Sequence, residues 1–313
     1  LDREPGRERP VRLPARLLAG ELQVRAREPQ AADGDGAVRE DLELRRSLER
    51  HRVSAEGALE PADAAPEQAR AFTPPLMPAG RRLYCIGDIH GRLDLLEELH
   101  DMIRLDAADF AGSKGVIYLG DYIDRGSQSK QVLDLLIEQP MEGFDSVHLL
   151  GNHEQAMLDF LAHPESAAAW LNFGGQVTLL SYGVGLGRLQ MQREVGALRD
   201  ELEEKLPVSH LEFIASCRLV HAEGNYCFAH AGIRPGVPVE EQAAEDLLWI
   251  REDFTRSRAD HGCIVVHGHS ISEEVERMPN RIGIDTGAYY SGLLTALVLE
   301  GSEQRLLQTG RAN

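Results

Sequence analysis

The sequence has few cysteines and no paired ones. Its four, Cys85, Cys217, Cys227 and Cys263, stand singly in short apolar runs without C-x-x-C spacing. That argues against a zinc ribbon and against a disulfide framework, and leaves them as reduced core residues. Long apolar runs are also missing: none approaches the roughly 18 residues that a membrane-spanning helix needs. The first ten residues, Leu1–Pro10, alternate charges instead of forming the apolar segment of a signal peptide. The expectation is a soluble, cytoplasmic protein with no membrane partner. Excess positive charge is absent too, since 33 Lys and Arg against 51 Asp and Glu leave a formal net charge of −18. Nucleic acid binding depends on basic side chains that neutralise phosphates, so nucleic acid is not expected as a partner. Most of the carboxylates sit at helix-surface spacing and read as a solvated face.

Residues 1–76 lack lysine altogether and carry Phe72 as their only aromatic. Arginine, alanine, glutamate and proline dominate, and a packed core cannot be built from them. The stretch Arg39–Arg52 has the spacing of one charged helix with too few apolar positions to dock. Residues 1–76 are therefore expected to be a disordered or low-complexity tail, and 77–313 a catalytic domain. Because the chain opens on Leu1 rather than methionine, a start near Met77 is the alternative expectation for this segment.

What is present is ample apolar content, 42% of 313 residues, which suffices for a sizeable core. From Arg82 onward short apolar runs end in glycine and a polar residue, and helix-period segments follow them. Leu83–Ile86, Val116–Leu119 and Val147–Leu150 read as strands; Leu93–Ile103, Val132–Ile137 and Glu154–Leu161 read as the helices between and after them. This β-α-β rhythm implies a mainly parallel sheet with its functional groups at the strand ends. Residues of about 163–216 read as an inserted helical cap, with Trp170, Phe173, Leu179 and Leu180 to pack and Gly174-Gly175 and Gly183 to Gly187 as breaks. Strand patterns return at Cys217–His221, Tyr226–Ala229, Cys263–His267, Arg281–Asp285 and Leu294–Leu299. The expected fold is α/β, two packed mixed β-sheets flanked by helices, with the later strands forming the second sheet.

Five strand ends carry acid, amide or imidazole groups: Gly87-Asp88-Ile89-His90-Gly91, Gly120-Asp121-Tyr122-Ile123-Asp124-Arg125-Gly126, Gly151-Asn152-His153-Glu154, His230-Ala231-Gly232 and His267-Gly268-His269. Singly, each reads as an ordinary turn or a satisfied histidine. Together, at successive strand ends, they form a ligand set. Oxygen and imidazole donors suit divalent manganese, iron or zinc, and the glycines allow turns tight enough to aim them.

The three boxes G-D-x-H-G, G-D-x-x-D-R-G and G-N-H-E resemble the signature of the PPP family of phosphoprotein phosphatases, compact bacterial type, within the calcineurin-like metallophosphoesterases. The resemblance covers residues 82 to about 300, and departs from it at Ile123, where valine is usual. It implies that Asp88 and His90 bind a first metal, that Asp121 bridges, and that Asn152, His230 and His269 bind a second. It further implies that two divalent ions, manganese first with iron or zinc as alternatives, activate a water for in-line attack at phosphorus. His153 would protonate the leaving oxygen, Asp124 would orient His153, and Arg125 and Arg251 would clamp phosphate oxygens. His267 reads as a support for the ligands or as a simply packed residue, with the first favoured slightly, and the role of Asp285 is left open. The last box, Gly268-His269-Ser270-Ile271, lacks the second histidine common in nucleases and diesterases of the wider superfamily. The expected activity is hydrolysis of phosphomonoesters on serine or threonine, with tyrosine as a further case, in proteins or small phosphoesters. The alternative is hydrolysis of diadenosine polyphosphates or other nucleotide phosphoanhydrides, against which the intact Asp124-Arg125 pair speaks.

Overall fold

The computed structural model describes residues 76–310 apart from 166, 186 and 188–194. The tail expected over 1–76 and its Arg39–Arg52 helix therefore lie, up to residue 75, outside the described residues. Strand β1 (Arg81–Ile86) leads to α1 (Leu93–Asp106), β2 (Ser113–Tyr118), α2 (Ser129–Glu138), β3 (Asp145–His148) and α3 (Asn152–Ala162). A 3₁₀ helix (Ala168–Phe173), α4 (Gly175–Ser181), α5 (Val195–Lys205) and α6 (Val208–Ser216) follow. Then come β4 (Val220–Glu223), β5 (Tyr226–Ala229), α7 (Ala244–Trp249), α8 (Glu252–Thr255), β6 (Ile264–His267), β7 (Glu276–Met278), β8 (Arg281–Gly283), α9 (Ala288–Ser291), β9 (Thr295–Glu300) and β10 (Glu303–Gln308).

These strands form two five-stranded sheets, ordered β10-β9-β1-β2-β3 and β4-β5-β6-β8-β7. Both are mixed: β1, β2 and β3 are parallel, whereas β9 lies antiparallel to β1 with Cys85 opposite Leu297. In the second sheet β5, β6 and β8 are parallel, with β4 and β7 antiparallel at the edges. Side-chain alternation explains the layering. On β1, Leu83 and Cys85 join Ile117, Phe228, Val266, Ile282 and Leu297 in a core between the sheets. Tyr84 and Ile86 face the opposite way, into a core shared with α1, α2 and α3. A third cluster, including Ala229, Val265, Leu247 and Phe254, covers the outer face of the second sheet. Strands buried on both faces must be apolar throughout, which is why they read as continuous runs rather than as alternation.

Leu294–Leu299 was grouped by sequence with the later strands, but β9 belongs to the first sheet. Its residues Ala296 and Val298 face the helices while Leu297 and Leu299 face the second sheet, so its fully apolar run suits a central position next to β1. Two short strands, β7 and β10, were not anticipated; both are edge strands with polar residues. No helix among the described residues is long and apolar enough to cross a membrane. Cys85 and Cys227 are buried, Cys217 and Cys263 half-buried, and all four thiols are free.

Candidate metal centre

Each chemically active box lies just past the C-terminal end of a strand. Residues after β1, β2 and β3 supply Asp88, His90, Asp121 and Asn152 from the first sheet, and residues after β5 and β6 supply His230 and His269 from the second. Backbone hydrogen bonds stitch the boxes together: the N–H groups of Ile89 and His90 donate to the Asp121 carbonyl at 3.1 and 2.8 Å, and Gly268 donates to the His230 carbonyl at 2.8 Å. Two glycines are required by crowding. A Cβ on Gly151 would lie 2.1 Å from Asp121 Oδ1, and one on Gly268 would lie 1.9 Å from Asp88 Oδ1. Among the described residues, positive φ angles are found at five non-glycine positions, His90, Asp121, Asp124, Arg125 and His269, all of them in this site. Such backbone costs of order 1 kcal/mol per residue and persists only where its surroundings hold it.

Glu154 is the main restraint. Fully buried at the start of α3, it accepts the N–H groups of Asp121 (2.9 Å) and Gly151 (3.0 Å) on Oε2 and those of Tyr122 (2.8 Å) and Ile123 (3.1 Å) on Oε1. Burial, with Asp121 beside it, pushes its carboxyl up to about 8 even though the Ile123 N–H favours the charged form. Only a carboxylate offers an acceptor to all four N–H groups.

Two sets of donors converge on Asp121. His90 Nε2 lies 3.5 Å from Asp121 Oδ2, and His230 Nε2 lies 3.5 Å from Asp121 Oδ1. The two oxygens therefore face different histidines, which places Asp121 between the two candidate cation positions. His90, Asp121 and His153 form one group able to hold a metal ion, and Asp121, His230 and His269 another. Asn152 Oδ1 sits 2.8 Å from His230 Nε2 and 2.9 Å from His269 Nδ1, completing a pocket of oxygen and nitrogen around the second position. The Nδ1 atoms of His90 and His230 each pair with a backbone carbonyl, Ile123 at 2.9 Å and Leu119 at 2.8 Å. Carbonyls accept only, so each Nδ1 donates and each Nε2 presents a lone pair to the site. Asp88 Oδ1 is buried with no hydrogen-bond partner, as expected of an atom whose partner is a cation. Residue types, tautomers and the orphaned oxygen all fit a pair of divalent ions.

The electrostatics separate the histidines. Burial, with His153 nearby, lowers His90 to about 3, and burial also lowers His230 and His269, so these imidazoles stay neutral and able to ligate. Burial opposes ionisation of Asp121, yet His230, His153, His90 and His269 around it hold its carboxyl well below the usual range. Burial raises Asp88 well above the usual range, reinforced by the neighbouring Asp285 and Asp121. His153 goes the other way: burial would lower it, but Asp121 and the hydrogen bond to Asp124 outweigh that and raise it. Its Nδ1 lies 2.6 Å from Asp124 Oδ2, while its Nε2 faces the metal pocket 3.8 Å from Asp121 Oδ2.

The two arginines act on different histidines of the pocket. Arg125 is exposed and acts electrostatically on His90 and His153; Arg251, exposed at the start of α8, acts on His230 and His269. Arg125 Nη1 donates to the hydroxyl of Tyr289 at 2.7 Å, and the guanidinium also packs on that ring, 4.7 Å from its centroid. Tyr289 carries no signal in the sequence, because an aromatic in the four-residue helix α9 belongs to no periodic pattern or box. Asp285, whose role was left open, is buried and adjacent to Asp88 while accepting the Gly287 N–H at 3.0 Å. Of the two readings of His267, the structure shows the packed one: the ring lies edge-on against Phe254 at 5.1 Å, on the outer face of the second sheet.

Residues 81–292 match the family described as Calcineurin-like phosphoesterase. Serine/threonine-protein phosphatase 2 of Escherichia coli K12 is 30% identical over 225 residues, 69% of this chain and 91% of that protein. Serine/threonine-protein phosphatase 1 of Salmonella typhimurium is 31% identical over 69% of this chain and 90% of its own length. An asymmetrical bis(5'-nucleosyl)-tetraphosphatase, PrpE of Anoxybacillus flavithermus, is 25% identical over 68% of this chain and 88% of its own.

Proposed function

We propose that this chain, which belongs to the calcineurin-like phosphoesterase family, is a metal-dependent phosphoprotein phosphatase that hydrolyses serine and threonine phosphomonoesters, and tyrosine phosphomonoesters as a further case. The observation that carries the reading is the arrangement of one pocket: ligand histidines whose burial favours the neutral form stand beside a single histidine, His153, whose Nδ1 lies 2.6 Å from Asp124 Oδ2 and which Asp121 and Asp124 push toward its protonated form. Groups pushed apart in this way mark an acid and its counterpart. Asp88, His90 and Asp121 would hold the first cation, and Asp121, Asn152, His230 and His269 the second, with manganese as the favoured ion. The ion pair supplies Lewis-acid activation of water and of the phosphoryl oxygens. The side chains do the rest. Arg125 and Arg251 bind phosphate oxygens and hold phosphorus over the pocket. His153 Nε2, facing the same space, gives its proton to the departing oxygen, and Asp124 fixes the tautomer and stabilises the imidazolium.

Two relatives matched over about nine tenths of their own length carry serine/threonine phosphatase names at 30% and 31% identity, which supports the protein substrate over the nucleotide one. The test is the leaving group. His153→Asn should slow hydrolysis of a phosphoserine peptide by on the order of 10²–10⁴, since a serine alkoxide needs the proton. Para-nitrophenyl phosphate, whose phenolate leaves readily, should slow far less at unchanged metal content. Equal slowing of both substrates would overturn the acid role. Turnover of diadenosine tetraphosphate well above that of phosphopeptides would overturn the substrate assignment.

A further inference from the structure

Asp124 receives more hydrogen bonds than one imidazole accounts for. Besides His153, its Oδ2 accepts the indole N–H of Trp170 at 2.7 Å, and its Oδ1 accepts the hydroxyl of Thr178 at 2.6 Å. The backbone N–H of Asp124 is shared between Thr178 Oγ1 at 2.9 Å and Ser129 Oγ at 3.0 Å, and those two hydroxyls are 3.0 Å apart. Proton bookkeeping is then fixed: Thr178 gives its one proton to Asp124, so Ser129 must donate to Thr178. Asp124, Ser129 and Thr178 are fully buried and Trp170 nearly so, which makes each donor costly to lose.

Trp170 stands in the 3₁₀ helix and Thr178 in α4, 46 and 54 residues beyond Asp124 and outside every strand-end box. Gly174, between them, presses on the same corner: a Cβ there would lie 2.8 Å from the Arg125 backbone nitrogen. Asp124 itself has a φ of 71° and cannot hold its carboxylate plane through relaxed local backbone. A tryptophan needed only to fill space would suffice with its contact on Phe160, 5.0 Å between ring centroids. Its polar edge instead ends on the carboxylate that holds His153.

We propose that Trp170 and Thr178 are positioning residues for proton donation: they lock the carboxylate of Asp124 in the orientation that aims His153 Nε2 at the leaving oxygen. The inserted segment thereby becomes part of the acid's support as well as a packed layer. This rests on the reading of His153 as the proton donor.

The experiment compares Thr178→Val, Thr178→Ser and Trp170→Phe in the full-length, manganese-loaded protein, each also combined with His153→Asn. Val and Phe preserve most of the volume and delete one donor. Each should lower kcat for a phosphoserine peptide on the order of 10-fold with KM unchanged, and lower kcat for para-nitrophenyl phosphate by less than about 3-fold, a fraction of what a full general acid contributes. Thr178→Ser should restore the parent values. In the His153→Asn background neither deletion should cost anything more, because a residue that acts through another has no effect once the other is gone. Losses that multiply with His153→Asn, or that strike both substrates equally, would overturn the positioning role. If His153→Asn itself shows no leaving-group dependence, the reading beneath it fails, and that result is separable because it appears in the single variant. Trp170→Phe carries the test alone should Thr178→Val fold poorly.

Discussion

Replacing Glu154 with glutamine tests whether the loop that carries Asp121 is held by a charged anchor. Four backbone N–H groups, from Asp121, Tyr122, Ile123 and Gly151, end on its two oxygens at 2.8–3.1 Å inside a fully buried site. Glutamine has nearly the same shape but only one acceptor atom. Whichever way its amide turns, two N–H groups meet an NH₂ and lose their partner. An orphaned buried donor costs about 1–3 kcal/mol, so the pair should cost about 2–6 kcal/mol, a large part of the 5–15 kcal/mol typical of a folded domain. Urea denaturation of the metal-free protein at pH 9, above the value of about 8 to which burial raises Glu154, should show this loss, and titration with manganese should show weaker binding, since Asp121 no longer sits where both histidines reach it. Glutamine also imitates a protonated glutamate. If Glu154→Gln unfolds within about 0.5 kcal/mol of the parent, the native side chain is neutral and the carboxylate anchor is wrong.

Exhaustive chelation should abolish hydrolysis of an aryl phosphate, and added manganese should restore it; full activity in metal-free protein would sink the two-ion reading. Stability should fall as pH drops from 6.5 to about 4, because burial, helped by Arg104, lowers His100 to about 4 and burial does the same to His148. Over that window the unfolded chain takes up protons that the native state refuses, at up to about 3 kcal/mol for His100 and less for the half-buried His148. Urea melts at pH 7, 6 and 5 should show the slope, and a His148→Phe variant should reduce it. Gly232→Ala should cost about 2–5 kcal/mol and weaken metal binding, because φ there is 137° and the new Cβ would stand 2.3 Å from the Phe254 ring, behind the His230 loop. A melting point within a degree or two of the parent would show that Phe254 moves aside freely.

The ligand boxes were legible because each is local: glycine, a polar residue and the end of an apolar run announce both the strand and the group it carries. The parallel core strands followed from the same runs, and Tyr226–Ala229 coincides with β5 as read. What could not be read is long-range. Leu294–Leu299 gives the same apolar pattern whichever sheet it joins, and only packing places it beside β1. The short polar strands β7 and β10 are edge strands whose pairing fixes them more than their side chains do. Trp170 reads as a packing residue of a helical segment and Thr178 carries no signal at all, since nothing in the chain reveals that both end on a carboxylate some fifty residues earlier. His267 shows the opposite failure: a histidine next to a ligand box looks functional, yet strand alternation turns it away to the outer face of its sheet.

The five left-handed backbone positions set a conflict between selection for heat resistance and selection for turnover. At His90, Asp121, Asp124, Arg125 and His269 a glycine would relax the backbone that the native side chain strains. Random variants screened only for survival at high temperature should therefore drift toward glycine at Arg125, the exposed member of the set, where little packing is lost. Each such gain would remove a group from the centre. A stabilised version of this protein has to draw its improvements from elsewhere in the fold, and a library that leaves these five codons open will accumulate sturdy, inert molecules.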